Sequence, residues 1–266
     1  TPHRGDDFAN RRGVRAGEQA DLAECGLIII AAGANQKPGE TRVELLPRNR
    51  VILSSIMEQL TAVKQNAVLL IVSNPVDVLT CMAQQLSGLP AGHVIGSGTV
   101  LDTARLKYLV GQKLGVDSRN VHAFIIGEHG DSELAVWSSA NISGVELDDY
   151  CRITGITEPS ALLHQIYENV RDAAYSIIES KGATYYGIGM AVRRIAEAIV
   201  RDEHSVLPVS SLIQGHYGVD GICLGLPSIV GKNGVEAVLD IPLSAEELNR
   251  LQSSSQKMKA LIAQRH

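Results

Sequence analysis

The sequence predicts an α/β protein built on a parallel sheet, and three observations predict it. Short apolar runs rich in β-branched residues recur: LIIIAAGA from Leu27, VLLIVSNP from Val68 and HVIGSG from His93. None shows the polar alternation of a half-exposed strand, so each reads as a strand buried on both faces. Helical patterns lie between them, RNRVILSSIMEQLTAVK from Arg48 and PVDVLTCMAQQLSG from Pro75, the second punctuated by Gly88 and Pro90. A β-α-β-α-β alternation of this kind needs crossover helices and a parallel sheet. Ligands in such sheets bind beyond the carboxyl ends of the strands, which puts the expected chemistry at AAGAN, SNPVD and GSGTVLD.

From Leu101 the texture changes. TARLKYLVGQKLG reads as a helix, VHAFIIGEHGDS as a strand entering a polar loop, and ELAVWSSANISGVEL as strand and turn. The chain is therefore divided into residues 1–98, the sheet-forming domain, and residues 99–266, a second domain of mixed helix and strand. A long helical stretch from Glu158 to Arg201 is interrupted by ATYYGIGM. Strand-like segments follow at Val206 to Val209, Gly221 to Leu224 and Val235 to Leu239. The tail opens with Ser244 three residues before Glu247, the spacing of a capping box, and predicts a terminal helix.

Composition narrows the function classes. The 266 residues are 45% hydrophobic and 20% charged, enough apolar material for a sizeable core. A formal charge of -5 gives no footprint for nucleic acid or an anionic membrane, which leaves small molecules and other subunits as partners. The four cysteines lie far apart with no C-x-x-C pair, so they read as reduced, mostly buried thiols rather than a disulfide framework or a metal site. No apolar run approaches the roughly 20 residues of a membrane span, and the N-terminus lacks the apolar core of a signal peptide. The cytoplasm is the expected compartment.

The loop GEHGDS carries a histidine, His129, flanked by glycine and aligned after an apolar strand. Histidine's ordinary pKa, about 6.5, suits proton exchange at neutral pH, although an exposed loop histidine has the same signature. VLDTAR changes the balance, because a buried Asp102 can hold one imidazole nitrogen while Arg105 grips a carboxylate with its planar fork. Asp102 and Arg105 are three apart and share a helix face, which also fits a plain helix-start ion pair. ANQKPGETR has the marks of a mobile loop over a site or of a solvated one. SNPV puts an amide side chain at the next strand end, or makes an ordinary turn.

Taken together and in this order, AAGANQKPGETR, SNPVDVLT, GSGTVLDTAR, GEHGDSE and KGATYYGIG resemble the NAD-dependent L-lactate dehydrogenases of the lactate/malate dehydrogenase family. The resemblance implies a doubly wound Rossmann sheet followed by that family's α+β C-terminal domain. It implies that His129 exchanges the proton of the substrate oxygen, with Asp102 orienting it and stabilising its imidazolium form. Arg105 would bind the substrate carboxylate, Arg42 would polarise the carbonyl from the closing loop, and Asn74 would hydrogen-bond the same oxygen. The cofactor would be NAD and the substrates pyruvate and lactate. Gln36 stands where malate enzymes of the family carry arginine, and a neutral amide there suits the methyl of pyruvate. Thr184 matches the residue closing the lactate pocket and Ile188 the apolar residue beside the nicotinamide; helix packing is the alternative for both. Malate or another 2-hydroxy acid is the second substrate reading. Lys107 and His122 match the anion effector site that binds fructose 1,6-bisphosphate in many bacterial members, with lysine where many of those have arginine. A homotetramer is the implied assembly.

One family feature is absent from this sequence. The fingerprint G-x-G-x-x-G does not follow the first strand; GSGTVL at Gly96 has Leu101 in the third place, and GIGMAV at Gly187 lies in a helical region. The resemblance thus implies that about fifty residues, a strand-helix-strand unit and part of a helix, belong upstream. The strand at Leu27 would then have an open apolar edge, and a strand near Val14 to Ala16 would lack a neighbour. The cofactor site left by resemblance comprises Gly33, Ala34, Ser55, Val72, Ser73, Asn74, Ser97 and Ile188, enough for the nicotinamide end. A non-catalytic remnant is the reading opposed to an enzyme.

Overall fold

The computed structural model describes residues 13–34, 43–60, 66–181 and 185–263. The three apolar runs form β1 (Leu27–Ile30), β2 (Val68–Ile71) and β3 (Val94–Gly96), linked by helices α1 (Leu46–Gln59) and α2 (Val76–Ser87). All are parallel, with Leu27 opposite Val68 and Leu69 opposite Val94. Every side chain of β2 is buried, as its unbroken apolar run requires of a strand covered on both faces. Burying each such side chain stabilises the fold by about 1.5–3 kcal/mol before entropy is counted.

Beyond β3 the sheet continues with segments from far along the chain. Strands β8 (Ser210–His216) and β9 (Val219–Gly225) form an antiparallel hairpin, and β8 joins β3 through the pair Gly96 and Ser210, giving the order β1-β2-β3-β8-β9. This hairpin was only partly visible in sequence, where Val206 to Val209 and Gly221 to Leu224 were the expected strands. The polar run SSLIQGH hides β8, and its turn is set by Tyr217 and Gly218, both at positive φ. The short strands β7 (Ser205–Leu207), β10 (Ser228–Gly231) and β11 (Gly234–Val238) make a separate sheet in the order β11-β10-β7.

Val14 to Ala16 form no strand, a correction to the expectation. They have no strand partner among the described residues, and Val14 is exposed. β1 has β2 as its hydrogen-bonded neighbour among those residues, and its Ile29 is 43% exposed. β1 is thus the end strand of the sheet among the described residues.

Helix α3 (Val100–Leu114) starts directly after the turn that leaves β3 and packs against β4 (Val121–Ile126), which pairs with β5 (Leu134–Ile142) and β6 (Val145–Glu146). The turn depends on Gly98, whose φ is +50° and whose Cβ, if it had one, would lie 2.4 Å from the Ser210 backbone nitrogen. Helices α4 (Leu147–Ile153), α5 (Pro159–Lys181) and α6 (Tyr186–Val200) follow. The long helical stretch expected from Glu158 to Arg201 is formed by α5 and α6, but most of the expected interruption ATYYGIGM is helical: Tyr186 to Met190 lie inside α6.

The last helix, α7 (Ala245–Ala263), begins with the capping box read from the sequence. The Ser244 N–H donates to Glu247 Oε2 at 2.8 Å, and the Glu247 N–H donates to Ser244 Oγ at 3.2 Å. Oε1 of Glu247 also accepts the N–H groups of Trp137 and Ser138, at 2.8 and 3.1 Å. A single buried carboxylate therefore both starts α7 and docks it on β5. The four cysteines are free, three of them buried.

Candidate active site

Two groups of residues meet at the carboxyl ends of the parallel strands and at the loop after β4. The first is built on α3. Asp102 falls in the first turn of that helix, where a carboxylate is favoured by the helix dipole, and its side chain is almost fully buried. Its Oδ2 lies 2.5 Å from His129 Nδ1, and its Oδ1 lies 3.4 Å from Arg105 Nη1. The carboxylate thus holds one imidazole nitrogen and assigns it the proton, so Nε2 is left for exchange with a substrate. The 3.4 Å approach of Arg105 is long and involves one nitrogen, which leaves most of the guanidinium's donors for a planar anion.

The loop that carries His129 is held from four sides. Thr99 and Thr103 on α3 bond the Ile125 backbone: Thr99 Oγ1 donates to the Ile125 carbonyl at 2.6 Å, and the Ile125 N–H donates to Thr103 Oγ1 at 2.9 Å. Gly127 exchanges two backbone bonds with Gly225 of β9, at 2.8 and 2.9 Å. The His129 N–H itself donates to Asp77 Oδ2 at 2.7 Å, while Ser210 Oγ donates to Asp77 Oδ1 at 2.5 Å. Finally Ser132 Oγ meets both Glu128 and Ser254 Oγ of α7, the latter at 2.7 Å. The loop is thereby tied to α2, α3, α7 and the β8-β9 hairpin at once.

Asp77 is buried, and desolvation pushes its carboxyl up to about 6 against the opposing bonds from Ser210 and His129. Asp102, His129 and Glu133 each bring a metal-ligand atom within 4.8 Å of the others. The 2.5 Å contact between His129 and Asp102 is a direct hydrogen bond, shorter than the roughly 3 Å or more that separates two ligands bound to one ion at the usual distances near 2.1 Å.

The second group joins the loops after β1 and β2. Ser73 Oγ donates to the Ala32 carbonyl at 2.5 Å. Asn49, 2% exposed on α1, accepts the Ala34 N–H at 2.7 Å through Oδ1 and donates to the Asn74 carbonyl at 2.6 Å through Nδ2. Gly33 lies against both neighbours: a Cβ there would come within 3.2 Å of the Ser73 Cβ and 3.3 Å of the Asn49 amide. Asn74 Oδ1 is buried without a hydrogen-bond partner among the described residues, the kind of deficit that a bound ligand makes good. Val72 bonds back to Ile30 at 2.9 Å, and the buried Ser97 ends β3 beside them, its N–H on the Ile71 carbonyl at 2.9 Å.

The structure thus brings together Asp102, Arg105 and His129, and separately Gly33, Ala34, Ser73 and Asn74, with Val72 and Ser97 at the adjoining strand ends. Ser55 is on the exposed side of α1, opposite the stripe that holds Asn49. Ile188, in α6, packs half-buried against the cluster formed by Val68, Leu70, Ile95 and Val100. Lys107 and His122 sit on the packed elements α3 and β4, with Lys107 half-buried and its ammonium shifted down by desolvation. Gln36, Arg42 and Thr184 lie outside the described residues.

Sequence reasoning missed Asn49 and gave Asp77 no role. A signal existed for the first: Asn49 stands in register with Leu46, Leu53 and Met57 on the buried face of α1, so it is a polar residue in an apolar stripe. Asp77 is the acidic residue of the first turn of α2, and only the tertiary return of Ser210 and His129 to it reveals that it is buried.

The NAD-binding-domain family of lactate/malate dehydrogenases matches residues 5–96, and the α/β C-terminal-domain family of lactate/malate dehydrogenases matches residues 99–266. The chain is 50% identical over 246 residues to the L-lactate dehydrogenase of Acetivibrio thermocellus, covering 92% of this chain and 78% of that protein. It is 51% identical over 247 residues to the L-lactate dehydrogenase of Thermoanaerobacter pseudethanolicus, covering 93% and 79%. Among solved structures, a lactate dehydrogenase from a Medee basin deep-sea metagenome library superposes with a TM-score of 0.89 at 42% identity, over 97% of this chain and 82% of that one.

Asp77 makes a pH prediction. Its folded pKa, about 6, is raised above the ordinary 3.8, so its contribution to stability is full below about 3.8 and is lost as pH rises through about 6. Relative to Asp77→Asn, the parent protein should therefore lose on the order of 5 °C in Tm between pH 4 and pH 7, measured by thermal unfolding. A difference that does not change with pH contradicts the assignment.

Proposed function

The chain belongs to the lactate/malate dehydrogenase family, and we propose that His129 is the acid/base of its reaction. It is an NAD-dependent oxidoreductase that interconverts L-lactate and pyruvate. The observation that carries the role of His129 is its 2.5 Å bond to buried Asp102, with Arg105 on the other oxygen of the same carboxylate.

In pyruvate reduction His129 gives the Nε2 proton to the keto oxygen, and in lactate oxidation it takes the hydroxyl proton back. Asp102 fixes the tautomer and favours the charged imidazole whenever the proton resides there. Arg105 turns its guanidinium to the substrate carboxylate in two parallel bonds, which orients the keto carbon. Asn74 offers its side chain to the reacting oxygen, and Arg42 polarises that oxygen and stabilises the negative charge that develops on it. Gly33, Ala34, Val72, Ser73, Asn74 and Ser97 would hold the nicotinamide end of NAD, with Ile188 beside it, whereas the exposed Ser55 lies apart from them. The close backbone at Gly33 and the unpartnered Asn74 amide oxygen fit that use. NAD, when bound, supplies or takes up the hydride.

We assign pyruvate rather than oxaloacetate through Gln36, whose neutral amide would leave a second substrate carboxylate unpaired, and place Thr184 against the substrate. Pairs such as Tyr185 and Tyr186, with Met190 on the same helix, are large exposed apolar side chains that support assembly into a homotetramer. Free cysteines support a cytoplasmic setting. Lys107 and His122 form an effector site for fructose 1,6-bisphosphate, weakened because lysine lacks the arginine fork.

Replacing the acid/base, His129→Gln, should lower kcat by about 10²–10⁴-fold with NADH binding retained, read by steady-state kinetics and cofactor fluorescence. Wild-type turnover in the variant would remove His129 from the reaction. Gln36→Arg should raise the kcat/KM ratio of oxaloacetate over pyruvate by at least tenfold, or about 1.4 kcal/mol. An unchanged ratio contradicts the assignment of Gln36. Addition of the sugar bisphosphate should shift the pyruvate saturation midpoint in the parent and leave Lys107→Ala unaffected; a parent curve that does not move ends the effector reading.

A further inference from the structure

We infer that Asn49 is a positioning residue of the reaction: its carboxamide clamps the loop after β1 to the loop after β2 and so sets where Asn74 stands. The inference rests on the reading that Asn74 meets the reacting oxygen.

The parallel ladder between β1 and β2 ends at the pair Ile30 and Ile71, followed by the Val72 bond to Ile30. Past that point backbone pairing gives out just where the site residues begin. Three side-chain bonds from two residues replace it among the described residues: Ser73 to the Ala32 carbonyl, and the double contact of Asn49. Of these, Asn49 alone touches the Asn74 backbone. Because Asn74 Oδ1 has no partner of its own among the described residues, the amide of that residue is located through its main chain. The Asn74 carbonyl is in turn fixed at 2.6 Å by Asn49 Nδ2.

The chemistry of the clamp requires asparagine. One group to be satisfied is a donor, the Ala34 N–H, and the other an acceptor, the Asn74 carbonyl, so the side chain must present both functions at one end. Aspartate has the shape but only acceptors, and would set a negative oxygen against the Asn74 carbonyl. Leucine would pack the apolar stripe of α1 yet leave an N–H and a C=O unsatisfied at a part-buried site. The same amide closes on Gly33, where a Cβ would come within 3.3 Å of it and press it aside by a few tenths of an ångström.

A residue that merely fills the core would lower stability without singling out one step of turnover. A positioning residue that works through Asn74 has a sharper signature, which a double-mutant cycle in the native protein reads. Asn49→Asp, near-isosteric and therefore the variant most apt to fold, should lower kcat for pyruvate reduction by about tenfold, since misplacement of a site by an ångström costs up to about a hundredfold. KM for NADH should stay within twofold. In an Asn74→Ala background the same substitution should change kcat by less than twofold.

Hydrogen exchange supplies a readout independent of turnover. The Ala34 amide should stay protected in Asn49→Asp, whose oxygen still accepts it, and exchange faster in Asn49→Ala. Losses that multiply in the double variant, or a lowered Tm with kcat intact in Asn49→Asp, overturn the inference while leaving Asn74 in place. An unchanged kcat in Asn74→Ala removes the premise, and the inference with it.

Discussion

A buried carboxylate holding one nitrogen of an imidazole is the interaction on which this site depends. Asp102 and His129 are 27 residues apart and belong to different elements, so their 2.5 Å contact exists only because α3 and the loop after β4 are locked together. The lock is made of neutral groups. Thr99 and Thr103 tie α3 to Ile125, and Gly127 pairs with Gly225 across the mouth of β9. Asp77 then catches the main chain of His129 itself. Two carboxylates therefore serve one histidine, Asp102 at the ring and Asp77 at the backbone. Their roles differ because the first faces cations and the second faces neutral donors. Burial is what pushes Asp77 up to about 6, against the opposing pull of Ser210 and His129.

The second half of the site follows from the parallel sheet. Strand ends point the same way, so the loops after β1, β2 and β3 emerge side by side, and a ligand can touch all three. Parallel ladders leave such loops without backbone partners, and here side chains supply them. Asn49 from the crossover helix and Ser73 from the loop restore the missing bonds, which couples the geometry of Asn74 to the first turns of α1. The hairpin of β8 and β9 extends the same sheet on its other side and delivers Ser210 and Gly225 to the histidine loop. Packing and chemistry thus share the same residues.

The parallel core was legible in the sequence because its strands are nearly pure apolar runs. The terminal helix was legible because Ser244 and Glu247 stand at capping-box spacing. Strand β8 was not, since SSLIQGH alternates polar and apolar residues weakly and ends in a tight turn. Val14 to Ala16 were expected as a strand only from the strand order that the resemblance implies; with no partner among the described residues they form none, and Val14 stays exposed. In the site, His129, Asp102 and Arg105 were legible as a motif set, and the structure brings the three side chains together. Asn49 and Asp77 were not, because a buried polar residue is identified by what returns to it from elsewhere in the chain. For Asp77 that return is Ser210, 133 residues away.

The proposed role of His129 requires that one proton be consumed in one direction of the reaction and generated in the other. The most direct measurement is the pH dependence of kcat/KM for pyruvate reduction and for lactate oxidation on the same preparation. Reduction takes up a proton through this imidazole and oxidation releases one, so the first should fall and the second rise with pH. Profiles that run in the same direction, or that keep this opposed titration in His129→Gln, would contradict it.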